Sequence, residues 1–250
     1  MKPEGVSHFQ RFQRFELKYP LDSRIADKIV VGLREYMDWD NYCQEDNDYA
    51  YLVASLYYDS AGYGCYFQKD DGIENRAKLR LRFYKEKVET DDKVFLEIKR
   101  KRDMVVVKDR IEMTKGNCFN LLKDGRVKEI LNKYSGKERE VIEEFLWTKT
   151  NNCMQPKVVV TYTRKALESS IGLDFRVTFD SDIKAAPAGW VDVVPQARIA
   201  GNIVVMEVKF NNIMPAWFHT LVQKYQLSRD SFSKYVYSLD NCRRRLLLWI

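Results

Sequence analysis

The segment RAKLRLRFY, Arg76 to Tyr84, carries Lys78, Arg80 and Arg82 on every second residue. In a strand, side chains alternate between faces, so the three cations and Tyr84 share one side while Ala77, Leu79, Leu81 and Phe83 share the other. Like charges in a row repel, and such a row suits either a solvated outer face or a surface that meets an anion. The habit recurs. Arg14, Glu16 and Lys18 align in FQRFELKY, as do Glu97, Lys99 and Lys101 in VFLEIKRK and Lys108, Arg110 and Glu112 in VVVKDRIEM. Tyr162 and Arg164, Asp174 and Arg176, and Glu207 and Lys209 do the same in three later segments. Arginine presents a planar fork that fits phosphate oxygens, and lysine a movable point charge. Cations from many strands with a few carboxylates among them suit a polyanion chelated to a divalent metal.

Other chemistries find little support. The chain has two histidines, His8 and His219, and His219 within PAWFHTLVQKY reads as a helix residue. Five cysteines, at 43, 65, 118, 153 and 242, form no CxxC pair, which argues against a disulfide framework or a zinc site and for a reducing compartment. No GxxxxGK[ST] loop is present, since Gly136-Lys137 lacks the upstream glycine. Gly62 and Gly64 lack the third glycine of a dinucleotide fingerprint. Most aromatic residues lie in helical or apolar contexts and read as core, so nucleic acid is not an expected partner. Tyr162 is the exception, because it shares a charged face with Arg164.

The elements that position these residues are legible from periodicity. At 250 residues, 45% hydrophobic and 31% charged with a formal charge of +6, the chain suits a globular domain with a sizeable core and an anionic partner. No repeat or Pro/Gly-rich linker divides it, so residues 1–250 are taken as one domain. Strands are expected at 12–19, 51–59, 77–84, 94–101, 105–113, 157–167, 172–180 and 202–210. Helices are expected at 22–37, 116–133, 137–148, 215–227 and 231–247, with Asp22 and Asp230 as caps. This is an α+β pattern with a large antiparallel sheet and few tight hairpins. For any one strand, the plainer account of its polar face is contact with water. Taken together, the faces repeat Arg and Lys rather than mixing Thr, Ser and Gln, and the helices suffice to cover the apolar side. That leaves the charged face to curl inward as a barrel lumen.

No apolar run reaches the roughly 18 residues of a membrane span, and the N-terminal stretch lacks a signal-peptide core, which suggests a cytoplasmic protein. The closing RRRLLLWI reads as the end of an amphipathic helix.

FELKY, KLRLRFY, FLEIKRK followed by VVVKDR, VTYTRKAL followed by GLDFRVTFD, VVMEVKF, and LSRDSFSKYVYSL occur in that order. In this the chain, from about Phe12 to Leu239, resembles the VTC (vacuolar transporter chaperone) domain. That is the polyphosphate-polymerase branch of the CYTH, or triphosphate tunnel metalloenzyme, superfamily. The resemblance implies an eight-stranded antiparallel β-barrel tunnel with helices packed outside, holding a nucleoside triphosphate among basic side chains. It implies transfer of the γ-phosphate of ATP to a growing inorganic polyphosphate chain. By position, Lys18, Arg80, Arg82, Lys99, Arg164, Arg176 and Lys234 look like phosphate ligands, joined by Lys108 and Lys209. Lys18, Arg80, Arg82 and Glu207 are the implied catalytic residues, and Glu207 resembles the glutamate that binds Mn²⁺ or Mg²⁺. Ser233 resembles the serine of the C-terminal Ser-Lys pair, and Tyr162 would line the nucleotide end.

Hydrolytic members open with ExExK, whereas Arg14, Glu16 and Lys18 stand here. The missing first carboxylate matches the VTC pattern and speaks against simple triphosphate hydrolysis. A catalytically silent polyphosphate-binding module would be marked by loss of the cations or of the glutamate, and both are kept. A separate membrane protein is a possible partner.

Overall fold

The computed structural model describes residues 9–45, 48–73, 76–102, 105–123, 125–172, 174–188, 197–211 and 213–247; for residues 9–13, 70, 102, 197 and 243–247 it describes the backbone alone. His8, Leu173 of GLDFRVTFD, and the side chains of RRRLLLWI lie outside this set. The first half of the chain contains β1 (Phe9–Asp22), α1 (Ser23–Leu33), β2 (Met37–Trp39), β3 (Tyr51–Asp59), α2 (Gly64–Asp70), β4 (Arg76–Phe83), β5 (Lys93–Arg102), β6 (Val105–Thr114) and α3 (Lys115–Leu122). There follow α4 (Val127–Leu131), α5 (Gly136–Asn151), β7 (Gln155–Ser169), β8 (Phe175–Pro187), β9 (Ala197–Arg198), β10 (Ile203–Phe210), α6 (Ala216–Lys224) and α7 (Lys234–Leu247). All eight expected strands are present, and β2 and β9 are short additions. Hydrogen bonding runs in the order β2-β7-β3-β4-β5-β6-β1-β10-β8-β9, and a further β7–β8 pairing closes eight strands into an antiparallel barrel. The fold is α+β, as the alternation and the resemblance implied. Among the described residues no helix is long and apolar enough to cross a membrane.

The chain forms two compact units whose boundaries fall inside β1, β3 and β7. One is built around Ser55–Val159, the other from Arg14–Ala54, Val160–Pro187 and Val194–Ile250.

In the first unit, β4, β5 and β6 form an antiparallel meander with Leu79 opposite Ile98 and Leu81 opposite Leu96. Leu79, Leu81, Leu96, Ile98 and Ile111 are buried, and α2 packs on β4 while α3 and α5 pack on β5 and β6. The apolar stripe of α5, Val141, Ile142 and Phe145, recurs at helical spacing and is buried. The single helix expected over 116–133 is two. Gly125 adopts φ of +71°, a conformation open to glycine, and separates α3 from α4. α2 was not expected. Its N-terminus is held by the Asp59 carboxylate, which accepts N–H bonds from Ser60, Cys65 and Tyr66.

In the second unit, α1 starts where expected, because Asp22 accepts a hydrogen bond from the Arg24 N–H at 3.0 Å. Its buried residues Ala26, Ile29 and Leu33 join a core with Tyr19, Leu21, Phe175, Val177, Val204, Met206, Val208 and Phe218. The cap expected at Asp230 lies instead at Ser233. α7 begins at Lys234, and Ser233 Oγ accepts from the Val236 N–H at 3.5 Å. Asp230 turns its carboxylate to the adjacent Ser231 N–H.

Candidate active site

Strand register converts the sequence alternation into rows. In the first unit Arg80, Glu97 and Arg110 stand opposite one another across β4, β5 and β6. Lys78, Lys99 and Lys108 form the next row, two residues along. Three lysines thus stand abreast in the register of the sheet. Arg80 and Arg82 are 8% and 6% exposed, so neither belongs to an open outer face.

Glu97, fully buried, is the hub of this cluster. It accepts from Arg80 Nε at 2.5 Å and Arg110 Nε at 2.7 Å, and Lys108 Nζ lies 3.7 Å away. Burial alone would raise its pKa; Arg80, Arg82, Lys108 and Arg110 outweigh that and hold it well below the usual carboxylate range. Burial pushes the Lys108 ammonium well below its ordinary value despite Glu97. Arg80 also reaches the Tyr57 hydroxyl at 3.3 Å, Arg82 donates to Ser55 Oγ at 3.4 Å, and Arg110 donates to the Tyr84 hydroxyl at 3.0 Å.

In the second unit the hub is Asp180, also fully buried. Arg164 grips it with Nε at 2.6 Å and Nη2 at 2.8 Å, and Lys234 Nζ stands 2.5 Å away. Asp180 therefore ties β7 to the first residue of α7. Burial would raise its pKa, but Arg164 and Lys234 depress it strongly. Against the cost of burial, the same carboxylate raises Arg164 and Lys234 above their ordinary values. Tyr162 lies beneath both cations, with the Arg164 guanidinium carbon 5.3 Å and Lys234 Nζ 4.7 Å from its ring centroid.

Glu207 sits two residues from Lys209 on β10, opposite Lys18 of β1 and Thr178 of β8. Its ion pairs with Lys209 at 3.6 Å and Arg164 at 3.9 Å are long. Lys209, opposite both Glu16 and Arg176, is buried and pushed well below its ordinary pKa, chiefly by desolvation. Lys18 donates to the Phe232 carbonyl at 2.8 Å, beside Ser233 and Lys234. Arg176 is held by Asp40 and by Glu168, the latter at 2.6 Å.

The structure thus groups Lys18, Tyr162, Arg164, Lys209, Glu207, Ser233 and Lys234 in one unit with Arg176, and Arg80, Arg82, Lys99 and Lys108 in the other. Sequence reasoning placed Lys78, Glu97 and Arg110 on charged strand faces without giving them a role in the site, and passed over two further carboxylates that anchor arginines, Asp180 and Asp40. Asp180 was detectable, since Arg176, Thr178 and Asp180 continue one alternation in FRVTFD. Asp40 was not, because it sits just beyond a three-residue strand.

Glu207 fits a divalent ion that takes most of its ligands from elsewhere. Mg²⁺ or Mn²⁺ at a phosphate site needs one or two carboxylates, with phosphate oxygens and water completing the shell. Among the described residues no group of three His, Cys, Asp or Glu side chains is assembled for a metal.

An antiparallel barrel with buried cations held among buried carboxylates defines this α+β protein. Its sequence matches the VTC domain over residues 13–242, and the chain belongs to that family. A candidate adenylate cyclase from Bacillus halodurans has the same fold, with TM-score 0.53 at 10% identity over 89% of this chain and 95% of that one. A candidate adenylyl cyclase from Hippeastrum, described as having a dominant triphosphatase activity, aligns with TM-score 0.49 at 14% identity over 91% and 95% of the two chains. No curated protein matches the chain in sequence.

Proposed function

We propose that the chain is an ATP-dependent polyphosphate polymerase, acting as one domain, in which the γ-phosphate of ATP passes to the end of an inorganic polyphosphate chain. The observation that carries this reading is the row Lys78, Lys99 and Lys108, three opposed cations one step from Arg80 and Arg110. With them go the buried cations Arg80, Arg82, Arg164, Lys209 and Lys234, more positive charge than a solvated strand face needs. Membership of the VTC family supplies the substrate class.

Phosphoryl transfer has a loose transition state with charge spread over the phosphoryl oxygens, so catalysis is mainly positioning and electrostatic stabilisation. Arg80, Arg82 and Arg164, each buried, hold phosphate oxygens in fixed directions, and Lys18, Lys99, Lys108, Lys209 and Lys234 supply further positive charge. The acceptor is an anionic phosphate oxygen, which needs no strong general base, and neither histidine is required. Glu207 would hold Mn²⁺ or Mg²⁺, which when bound neutralises phosphate charge and polarises the transferring group. Arg14 stands where hydrolytic relatives of the superfamily carry a carboxylate, and this favours transfer to phosphate over transfer to water.

Incubation with ATP and Mn²⁺, followed by separate measurement of long-chain polyphosphate and inorganic phosphate, tests the reading. Polymer as the main product supports it. Phosphate alone would identify a triphosphate hydrolase, and neither product a binding module. Glu207→Gln is expected to abolish polymer synthesis and Mn²⁺ binding while polyphosphate still binds. A mutant that retained both metal binding and synthesis would make Glu207 a structural counter-ion.

A further inference from the structure

A nucleoside triphosphate has two ends, and the cation clusters account for only one. Tyr162, which shares a charged strand face with Arg164, is 2% exposed and lies beneath Arg164 and Lys234. Its ring is committed to two cations and offers no open face to a base. A different aromatic pair does.

Tyr42 is 74% exposed, in the connection that follows β2. Its ring centroid lies 6.1 Å from that of Tyr51, at an interplanar angle of 60°. The Tyr51 hydroxyl in turn stands 3.5 Å from Arg176 Nη2. One carboxylate fixes this arrangement. Asp40 Oδ1 accepts the backbone N–H of Tyr42 at 2.9 Å and of Cys43 at 3.1 Å, while Oδ2 pairs with Arg176. Asp40 is 4% exposed, so the tie is a buried one. An exposed ring and a phosphate-type arginine are thereby held in register by opposite oxygens of one side chain.

We propose that Tyr42, supported by Tyr51, stacks on the base of a nucleoside triphosphate whose phosphate tail leads away past Arg176. This rests on the proposed function and on the phosphate-binding role that the family resemblance implies for Arg176. The direction of the tail follows from the strands: Lys209 stands opposite Arg176, and Glu207 lies two residues further along β10. Lys209 and Glu207 therefore lie on the β10 side of β8, whereas β7, with β2 and the Tyr51 strand β3 beside it, lies on the other side. Stacking tolerates any base because each has a π-face, so the site distinguishes nucleotides from inorganic polyphosphate without selecting one base by hydrogen bonds.

The test compares two probes, ATP and inorganic tripolyphosphate, by calorimetric titration against wild type, Tyr42→Ala and Tyr42→Phe. The Tyr42 side chain is exposed, so its truncation leaves the core intact. Tyr42→Ala is expected to weaken ATP binding by about tenfold and to leave tripolyphosphate binding unchanged, while Tyr42→Phe, which keeps the ring, binds both as wild type does. Equal weakening of both probes would show that Tyr42 shapes the connection rather than meeting a base, and no change with either would remove it from the site. Both results overturn the proposal, as would a wild type that binds tripolyphosphate but not ATP. A wild type that binds both but makes no polymer would refute the polymerase reading alone, and the binding comparison would still decide the role of Tyr42.

Discussion

Three of the arginines assigned to phosphate are each anchored by a buried acid: Arg80 by Glu97, Arg164 by Asp180, Arg176 by Asp40. An arginine has five donors, and one edge can be committed to an internal carboxylate while others stay available to a ligand. The acid fixes the plane of the guanidinium before substrate arrives, which reduces the ordering cost on binding. Asp180 does this for two cations on different elements, so its loss should be expensive. Asp180→Asn leaves Arg164 and Lys234 buried without their counter-charge and is expected to lower stability by about 3–5 kcal/mol, measured by urea unfolding at neutral pH. Because the folded-state pKa of Asp180 is depressed, its contribution is fully present above the ordinary carboxylate value and is lost as pH falls through the folded value. The variant should therefore lose stability at neutral pH and show a shallower decline in acid. An acid limb identical to that of wild type would mean that Asp180 does not carry the linkage.

At the scale of elements, the β4–β5–β6 meander divides labour by alternation. Arg80 and Leu81 are neighbours in sequence, and both are buried, yet they answer to different demands. Leu81, opposite Leu96 on the apolar face, contributes core packing, and Leu81→Ala is expected to cost about 2–5 kcal/mol. Arg80→Ala should abolish phosphate transfer with a smaller stability loss, since Glu97 keeps Arg110 and Lys108 as partners. Denaturation midpoints set beside polymer yield check both, and a larger stability loss in Arg80→Ala than in Leu81→Ala would reverse the assignment of faces. This alternation is why strands such as β1, β4 and β6 were legible, and a register slip would turn Leu79 and Leu81 away from the core. The helix boundaries were less legible because they depend on single residues. Gly125 divides one periodic stretch into α3 and α4, and Ser233 rather than Asp230 caps α7. The cations of the site could be picked out from the sequence, but which carboxylate anchors which cation could not. Pairing Arg164 with Asp180, or Arg176 with Asp40, requires knowing which strands and loops are adjacent, and local periodicity carries no such information.

For the molecule as a whole, the formal charge of +6 says less than where the charge lies. Most charged groups of a folded protein face water, where they cost little; here Arg80, Arg82, Arg164, Lys209 and Lys234 are buried, and Lys108 is held well below its ordinary pKa by burial. A lysine whose folded pKa is depressed opposes folding wherever it must remain charged. Between its folded value and its ordinary value the unfolded state binds more protons, so stability rises with pH across that window. The ligand-free fold thus carries a strain that an anion would relieve, a form of the exchange of stability for function. Lys108→Met keeps the aliphatic stem but removes the charge from the row it shares with Lys78 and Lys99. The variant is expected to melt at a higher temperature than wild type without ligand, to lack part of the rise in stability toward alkaline pH, and to gain less from added tripolyphosphate. For wild type at 100 times the dissociation constant, mass action provides about 2.7 kcal/mol, or roughly 5–10 °C in a chain of this size. Thermal melts of both proteins with and without tripolyphosphate read all three effects. If the ligand-free variant melted lower than wild type, Lys108 would be a stabilising partner of Glu97 rather than a cation kept for the substrate, and the row of lysines would need another explanation.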